Sequence, residues 1–290
     1  MTEANNDVTR QVTELRERVD QLQKQVESLK GNRSVTISER PRSEEVLNPN
    51  LFQPGEVIPP SPQDDVHSIV GGEKTNDFPD CCAVGNDIGY YCTGTLIAPT
   101  VVVTAAHCDG IRRVFLRGPD VRFPEDGETI RVSRVFRHDE ADLQVLVLES
   151  PSAVEPRRVA SGAVADNAQT AILVGFGTTN LAGTTGYGRK RKVEVPIVSA
   201  SCATQNDVDN FGCSRGTEIV AGHRGLRKDS CKGDSGGPLY VKGPGGAHFL
   251  LGATSRGINN ADNVCGDGGI YVRVDKFLDW IREMTGVAIA

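Results

Sequence analysis

Residues 69–290 are predicted to be all-β, a sandwich or barrel, on two observations. Short runs rich in β-branched residues recur at 101–103, 143–148, 171–175, 192–198, 249–254 and 270–274, each separated from the next by Gly, Pro or Asn. The segment is long enough for two small barrels, and only its end carries a helical period. There Phe277, Leu278 and Ile281 recur beside Trp280, after Asp275, a residue suited to cap a helix.

Two pieces of different character precede it. Residues 1–30 read as a coiled-coil helix, because Val12, Val19 and Val26 fall at a positions and Val8, Leu15, Leu22 and Leu29 at d. β-branched a with Leu at d favours two parallel strands, so a homodimer through residues 8–29 is the first expectation and a trimer the second. The flanking Gln11, Arg16, Arg18, Gln23, Gln25 and Lys30 offer no complementary acids, so charge adds little to the pairing. Residues 31–68 hold six prolines and no sustained period. They read as an extended linker or prosegment open to proteases.

With 38% hydrophobic and 24% charged residues, the composition is that of a soluble globular protein of one or two domains. A net charge of −6 speaks against nucleic acid as a partner. No apolar run reaches the roughly 18 to 20 residues that cross a bilayer, so no membrane association is expected. Protein or peptide ligands remain.

The eight cysteines are 81, 82, 92, 108, 202, 213, 231 and 265, with no CxxC pair to suggest zinc or a redox dithiol. An even count suggests disulfides and an oxidising compartment, extracellular or periplasmic, with on the order of a hundred pairings open. The first thirty residues lack the apolar stretch of a secretory signal. Another export route, an omitted upstream segment, and cytoplasmic synthesis with maturation after release therefore all stay open. Glu125, Asp126 and Glu128 are spaced too loosely for a calcium site and read as a solvated acidic turn. No metal and no cofactor is expected.

Chemistry is concentrated in Gly233-Asp234-Ser235-Gly236-Gly237-Pro238, a serine in a turn of residues that permit unusual backbone angles. A serine hydroxyl is a poor nucleophile unless a base lies within hydrogen-bond reach and N–H donors receive the oxyanion. Three further segments supply candidates: Thr104-Ala105-Ala106-His107-Cys108, Asp142 before an apolar run, and Ile69-Val70-Gly71-Gly72 after the linker.

In this ordered set of four motifs, spread over roughly residues 69 to 285, the sequence resembles the chymotrypsin/trypsin family of serine endopeptidases. The resemblance implies two packed six-stranded antiparallel β-barrels with a C-terminal helix. It also implies Ser235 as nucleophile, His107 as general base, Asp142 as the carboxylate that fixes the imidazole tautomer, and the N–H groups of Gly233 and Ser235 as the oxyanion hole. Asp139 and Glu140 compete for the acid role. Asp142 is preferred because the apolar strand begins directly after it. His67, His138, His223 and His248 lie in no equivalent motif.

By the same resemblance, the floor of the primary pocket is Asp229, six residues before the nucleophile. A carboxylate there calls for a cation, so cleavage after Arg or Lys is implied. Gly257 and Gly269 match the pocket walls, and Ser255 to Gly257 the strand that pairs with substrate. In the family the chain is cut before the residue matching Ile69, and the new ammonium pairs with the acid matching Asp234. A zymogen cut between Ser68 and Ile69 is thus implied. A protease selecting Arg or Lys would not cut efficiently after Val66-His67-Ser68, which points to a separate activating protease.

The family's disulfides match Cys92 with Cys108 and Cys231 with Cys265. Cys202 with Cys213 is an irregular match, because Val220 replaces the usual second cysteine. Cys81 and Cys82 have no counterpart; a vicinal disulfide, free thiols and a link to another chain all stay open. Arg256 replaces the usual aromatic residue, which implies a more cationic cleft preferring acidic or polar residues upstream of the cut. The run Arg189-Lys190-Arg191-Lys192 reads as a solvated loop ahead of a self-cleavage site. The alternative function is a catalytically idle protease-fold binding or assembly protein, oligomerised by its helix.

Overall fold

In the computed structural model the described residues are 69–180 and 186–290. The heptad segment with its expected homodimer, the linker, His67 and the Ser68 side of the expected cut lie outside them.

Strand β1 is Glu73–Lys74, and six strands then close the first barrel: β2 (Cys81–Gly85), β3 (Tyr90–Ala98), β4 (Val101–Thr104), β5 (Arg113–Leu116), β6 (Glu128–Arg137) and β7 (Gln144–Leu148). Their order around the barrel is β2-β3-β4-β7-β6-β5, all antiparallel. The second barrel comprises β8 (Thr170–Gly175), β9 (Arg191–Ser199), β10 (Glu218–Ala221), β11 (Pro238–Lys242), β12 (His248–Gly257) and β13 (Gly269–Arg273). It runs β9-β10-β13-β12-β11-β8 and is closed by the pairing of β8 with β9; β1 extends an edge of β9.

The apolar runs are nearly continuous because strands facing the barrel junction are covered on both sides. Along β4, Val102 packs inside the first barrel with Leu96 and Leu146, while Val103 packs with Phe115, Phe176 and Tyr240 between the barrels. Leu173, Val193, Ile219, Leu239 and Leu251 fill the second barrel. The junction also carries polar groups that satisfy one another. Fully buried Asp80 accepts from Arg157 Nε at 3.0 Å and from the Tyr240 hydroxyl at 2.6 Å, and the Phe78 and Tyr240 rings stack at 4.9 Å.

Three short helices lie outside the barrels: α1 (Gly162–Asp166), α2 (Gln205–Phe211) and α3 (Leu278–Thr285). Asp275 does not cap α3 as expected. It sits inside a 3-10 turn, Val274–Phe277, and its carboxylate binds the buried Arg273 guanidinium at 2.7 and 2.9 Å.

The basic run is not a solvated loop. Lys190 is fully buried, donating Nζ to the Phe78 carbonyl at 2.8 Å beneath the Phe176 ring, and Arg191 opens β9 with 3% exposure. A protease could not reach Lys190 in the folded chain. Cys81 and Cys82 are free and buried. They face opposite sides of β2, one toward the barrel junction and the other into the first barrel. That alternation prevents a vicinal bridge, and burial pushes both thiols well above their ordinary pKa.

Candidate active site

The serine turn depends on two glycines. Gly233 and Gly236 have φ of 93° and 76°, and a Cβ at the second would overlap Thr104 Oγ1 and the Ala105 nitrogen. This close approach seats the turn of the second barrel against the end of β4. Thr93 on β3 reinforces the seat, donating its N–H to the Ser235 carbonyl at 2.9 Å and its hydroxyl to the Gly233 carbonyl at 2.8 Å. Ser235 is left partly buried. Among the described residues, the N–H groups of Gly233 and Ser235 meet no protein acceptor.

His107 follows β4 in a loop held by the Cys92–Cys108 disulfide and by Gln144. The buried Gln144 amide donates to the carbonyls of Ala105 at 2.8 Å and Cys108 at 2.6 Å. His107 Nδ1 lies 2.8 Å from Asp142 Oδ2, and its backbone N–H donates to Asp142 Oδ1 at 3.0 Å. The Ser255 hydroxyl donates to the same Oδ2 at 2.7 Å. Burial acts to raise the Asp142 pKa, yet the bonds from His107 and Ser255 outweigh it and the carboxyl lies below its ordinary value. Of the competing acids, Asp139 and Glu140 are exposed. His138 receives the Glu140 and Ala141 N–H groups and meets Phe277 and Trp280 edge-on, so it shapes the turn leading to Asp142.

Asp229, Ser235, Ser255, Gly257 and Gly269 line one cavity of about 160 Å³. Asp229 is 4% exposed; it accepts from Ser230 Oγ and Tyr271 OH, each at 3.3 Å, and from the Gly268 N–H at 3.1 Å. Desolvation raises its pKa to about 7 against those donors. A Cβ at Gly257 would meet nothing within 4 Å, which leaves that wall open. Cys231–Cys265 braces the cavity, and the Cys202–Cys213 disulfide is also formed. A larger cavity of about 720 Å³ holds none of the expected site residues; its Lys192 and Lys242 are ion-paired to acids.

Asp234 is 2% exposed and turned away from this cavity. Its carboxylate accepts the N–H groups of Gly177 at 2.7 Å and Cys231 at 2.8 Å, and desolvation raises its pKa to about 7. Ile69, 1% exposed, packs into the second barrel's core, and the Val70 carbonyl accepts the Asp229 N–H at 3.2 Å. The entry of the described chain is thereby joined to the cavity floor.

The cleft is less cationic than expected. Arg256 donates to both carboxylate oxygens of Glu218, at 2.8 and 2.9 Å, and this pairing cancels the surplus charge. Glu128 accepts the Ser152 hydroxyl at 2.6 Å, while Glu125 and Asp126 lie in an exposed 3-10 turn. Gln144, Tyr271 and Glu218 belong to no motif in the sequence. Only Gln144 left a trace there, as a lone polar residue in an apolar run.

Two comparisons bear on this arrangement. A family model described as Trypsin matches residues 69–281. A curated relative, the trypsin of Phaedon cochleariae, is 31% identical over 243 residues, covering 76% of this chain and 89% of the relative.

Proposed function

The chain belongs to the trypsin family of serine proteases, and on that premise we propose that it is an endopeptidase cleaving after Arg or Lys, made as a zymogen. The observation that carries the specificity is the buried Asp229 carboxylate lining the same cavity as Ser235. An entering guanidinium or ammonium would replace lost hydration and hold Asp229 ionised, whereas a neutral side chain would leave the carboxyl to its raised pKa.

In the proposed reaction, Ser235 Oγ attacks the scissile carbonyl carbon as His107 Nε2 takes its proton. Asp142 keeps Nδ1 as the donor and balances the imidazolium. The electron pair displaced onto the carbonyl oxygen is received by the N–H groups of Gly233 and Ser235. Collapse of the intermediate breaks the C–N bond, His107 passes its proton to the leaving amine, and an ester to Ser235 remains. Water, deprotonated by His107, repeats the sequence and frees the acid.

Cleavage between Ser68 and Ile69 by a separate protease would create an ammonium able to reach the buried Asp234 carboxylate, which accepts the N–H groups of Gly177 and Cys231. Pairing of that ammonium with Asp234 would set the Gly233–Ser235 turn. The three disulfides support maturation in an oxidising, extracellular setting. Residues 1–68 act in this reading as the prosegment.

The test is hydrolysis of an arginine anilide after a controlled cut at Ser68/Ile69. Turnover well above that of the Ser235→Ala variant is expected. Equal rates would overturn the enzyme reading in favour of an idle, helix-oligomerised assembly protein.

A further inference from the structure

We propose that Arg256 and Glu218 form a brace that orients the Ser255 hydroxyl toward Asp142, which makes Arg256 a positioning residue for the reaction. The inference rests on the protease reading and extends it to two side chains that take no part in that reading.

The geometry is directional. Arg256 Nη1 donates to Ser255 Oγ at 3.2 Å, and a guanidinium can only donate. Ser255 must therefore accept from Arg256, and its one hydroxyl proton is left for Asp142 Oδ2 at 2.7 Å. Without Arg256 the Ser255 oxygen loses the donor that fixes the rotation of its hydroxyl, and the bond to Asp142 is held from one side alone. Oδ2 is also the oxygen that meets His107 Nδ1, so any loosening of Ser255 is felt where the imidazole is held.

Arg256 itself is tethered at several points. Its two Nη groups grip Glu218, which is 6% exposed on β10, and Nη2 also donates to the Gly212 carbonyl at the end of α2, at 2.9 Å. Glu218 Oε2 in turn accepts the Ser214 N–H at 2.6 Å. The brace thus runs from the second barrel, through Ser255 on β12, to a carboxylate at the edge of the first. Its net charge is zero. Arg256 is accordingly placed to fix a proton's direction and to leave little field at the site.

The test uses the full chain cut before Ile69, with Arg256→Met, Glu218→Gln and Ser255→Ala. A substrate carrying only an arginine and a leaving group keeps secondary subsites out of the comparison. For Arg256→Met, kcat is expected to fall about fivefold, the weight of one ordinary hydrogen bond, with KM changed less than twofold. The low-field proton resonance of His107 Nδ1–H should move in the same variant. Glu218→Gln, which keeps one acceptor for the guanidinium, should fall between the two. Arg256→Met added to Ser255→Ala should cost nothing further, because the pathway is already broken.

An unchanged kcat and resonance in Arg256→Met, or full additivity with Ser255→Ala, overturns the brace. If Arg256→Met does not fold, an unmoved resonance in Glu218→Gln overturns it equally. The resonance is read without turnover, so the brace is decided even if the cut parent hydrolyses no arginine substrate.

Discussion

The Asp229 carboxylate and the Tyr271 hydroxyl lie 3.3 Å apart, both buried, behind a wall of the cavity that Asp229 lines. Tyr271 supports the ionised form against desolvation that has raised Asp229 to about 7. If the cavity takes a cationic side chain as proposed, it is then only partly negative at neutral pH in the free enzyme. KM for arginine substrates should fall as pH rises from about 6 to 8. In Tyr271→Phe one donor is lost, the Asp229 pKa rises further, and the fall in KM should move to higher pH. A KM independent of pH in both proteins would contradict this.

Replacing Asp229 by Ser removes the pocket's charge and leaves His107, Asp142 and Ser235 untouched. Arg/Lys preference over neutral residues should drop by about 100-fold or more, the weight of a charge-assisted pair, as measured by kcat/KM across a peptide set. An unaltered preference would mean that selectivity is determined elsewhere.

The proposed Ile69 ammonium gives the alkaline side. An unperturbed α-amino group has a pKa of about 7.7 to 8.0, and pairing with Asp234 raises it. Its contribution is complete below the unperturbed value and disappears as pH rises through the raised one. Activity of the cut protein should therefore erode above roughly pH 8 to 9. A rate that stays level to about pH 11 would sink the switch.

Stability of the uncut chain carries a further signature. The folded protein holds protons on Asp229 and Asp234 up to about 7, whereas the unfolded chain releases them near the ordinary 3.8. Between those values the folded state binds more protons, so these two groups make stability decline with rising pH. His248, lowered by desolvation, has the opposite sign in the same window. The difference between proteins isolates the effect. In a Ser235→Ala background, Asp229→Asn should gain in Tm relative to its parent between about pH 4.5 and 7.5, and a constant offset would refute the assignment.

The strands and the proposed reacting side chains are legible in the sequence for different reasons. β4, β8 and β12 show themselves because both their faces are buried, which leaves an apolar run in the sequence. β2, Cys-Cys-Ala-Val-Gly, is just as buried but glycine-ended, and its residues carry little β signal. His107, Asp142 and Ser235 stand out by the order of their motifs. Gln144, Tyr271 and Glu218 act across the tertiary fold, through acceptors that no local pattern announces. Lys190 departs from its sequence reading because charge in sequence implies exposure, whereas here a carbonyl and an aromatic ring receive it.

Cys81 turns the barrel junction into its own reporter, and Cys82 does the same for the first barrel. With the two sulfur atoms sealed away on opposite faces of β2, a maleimide should find no target in the intact protein, Cys81 in a molecule whose barrels part, and Cys82 only where the first barrel itself opens. The rate of uptake at Cys81 would then clock how often the two halves part, with no engineered probe.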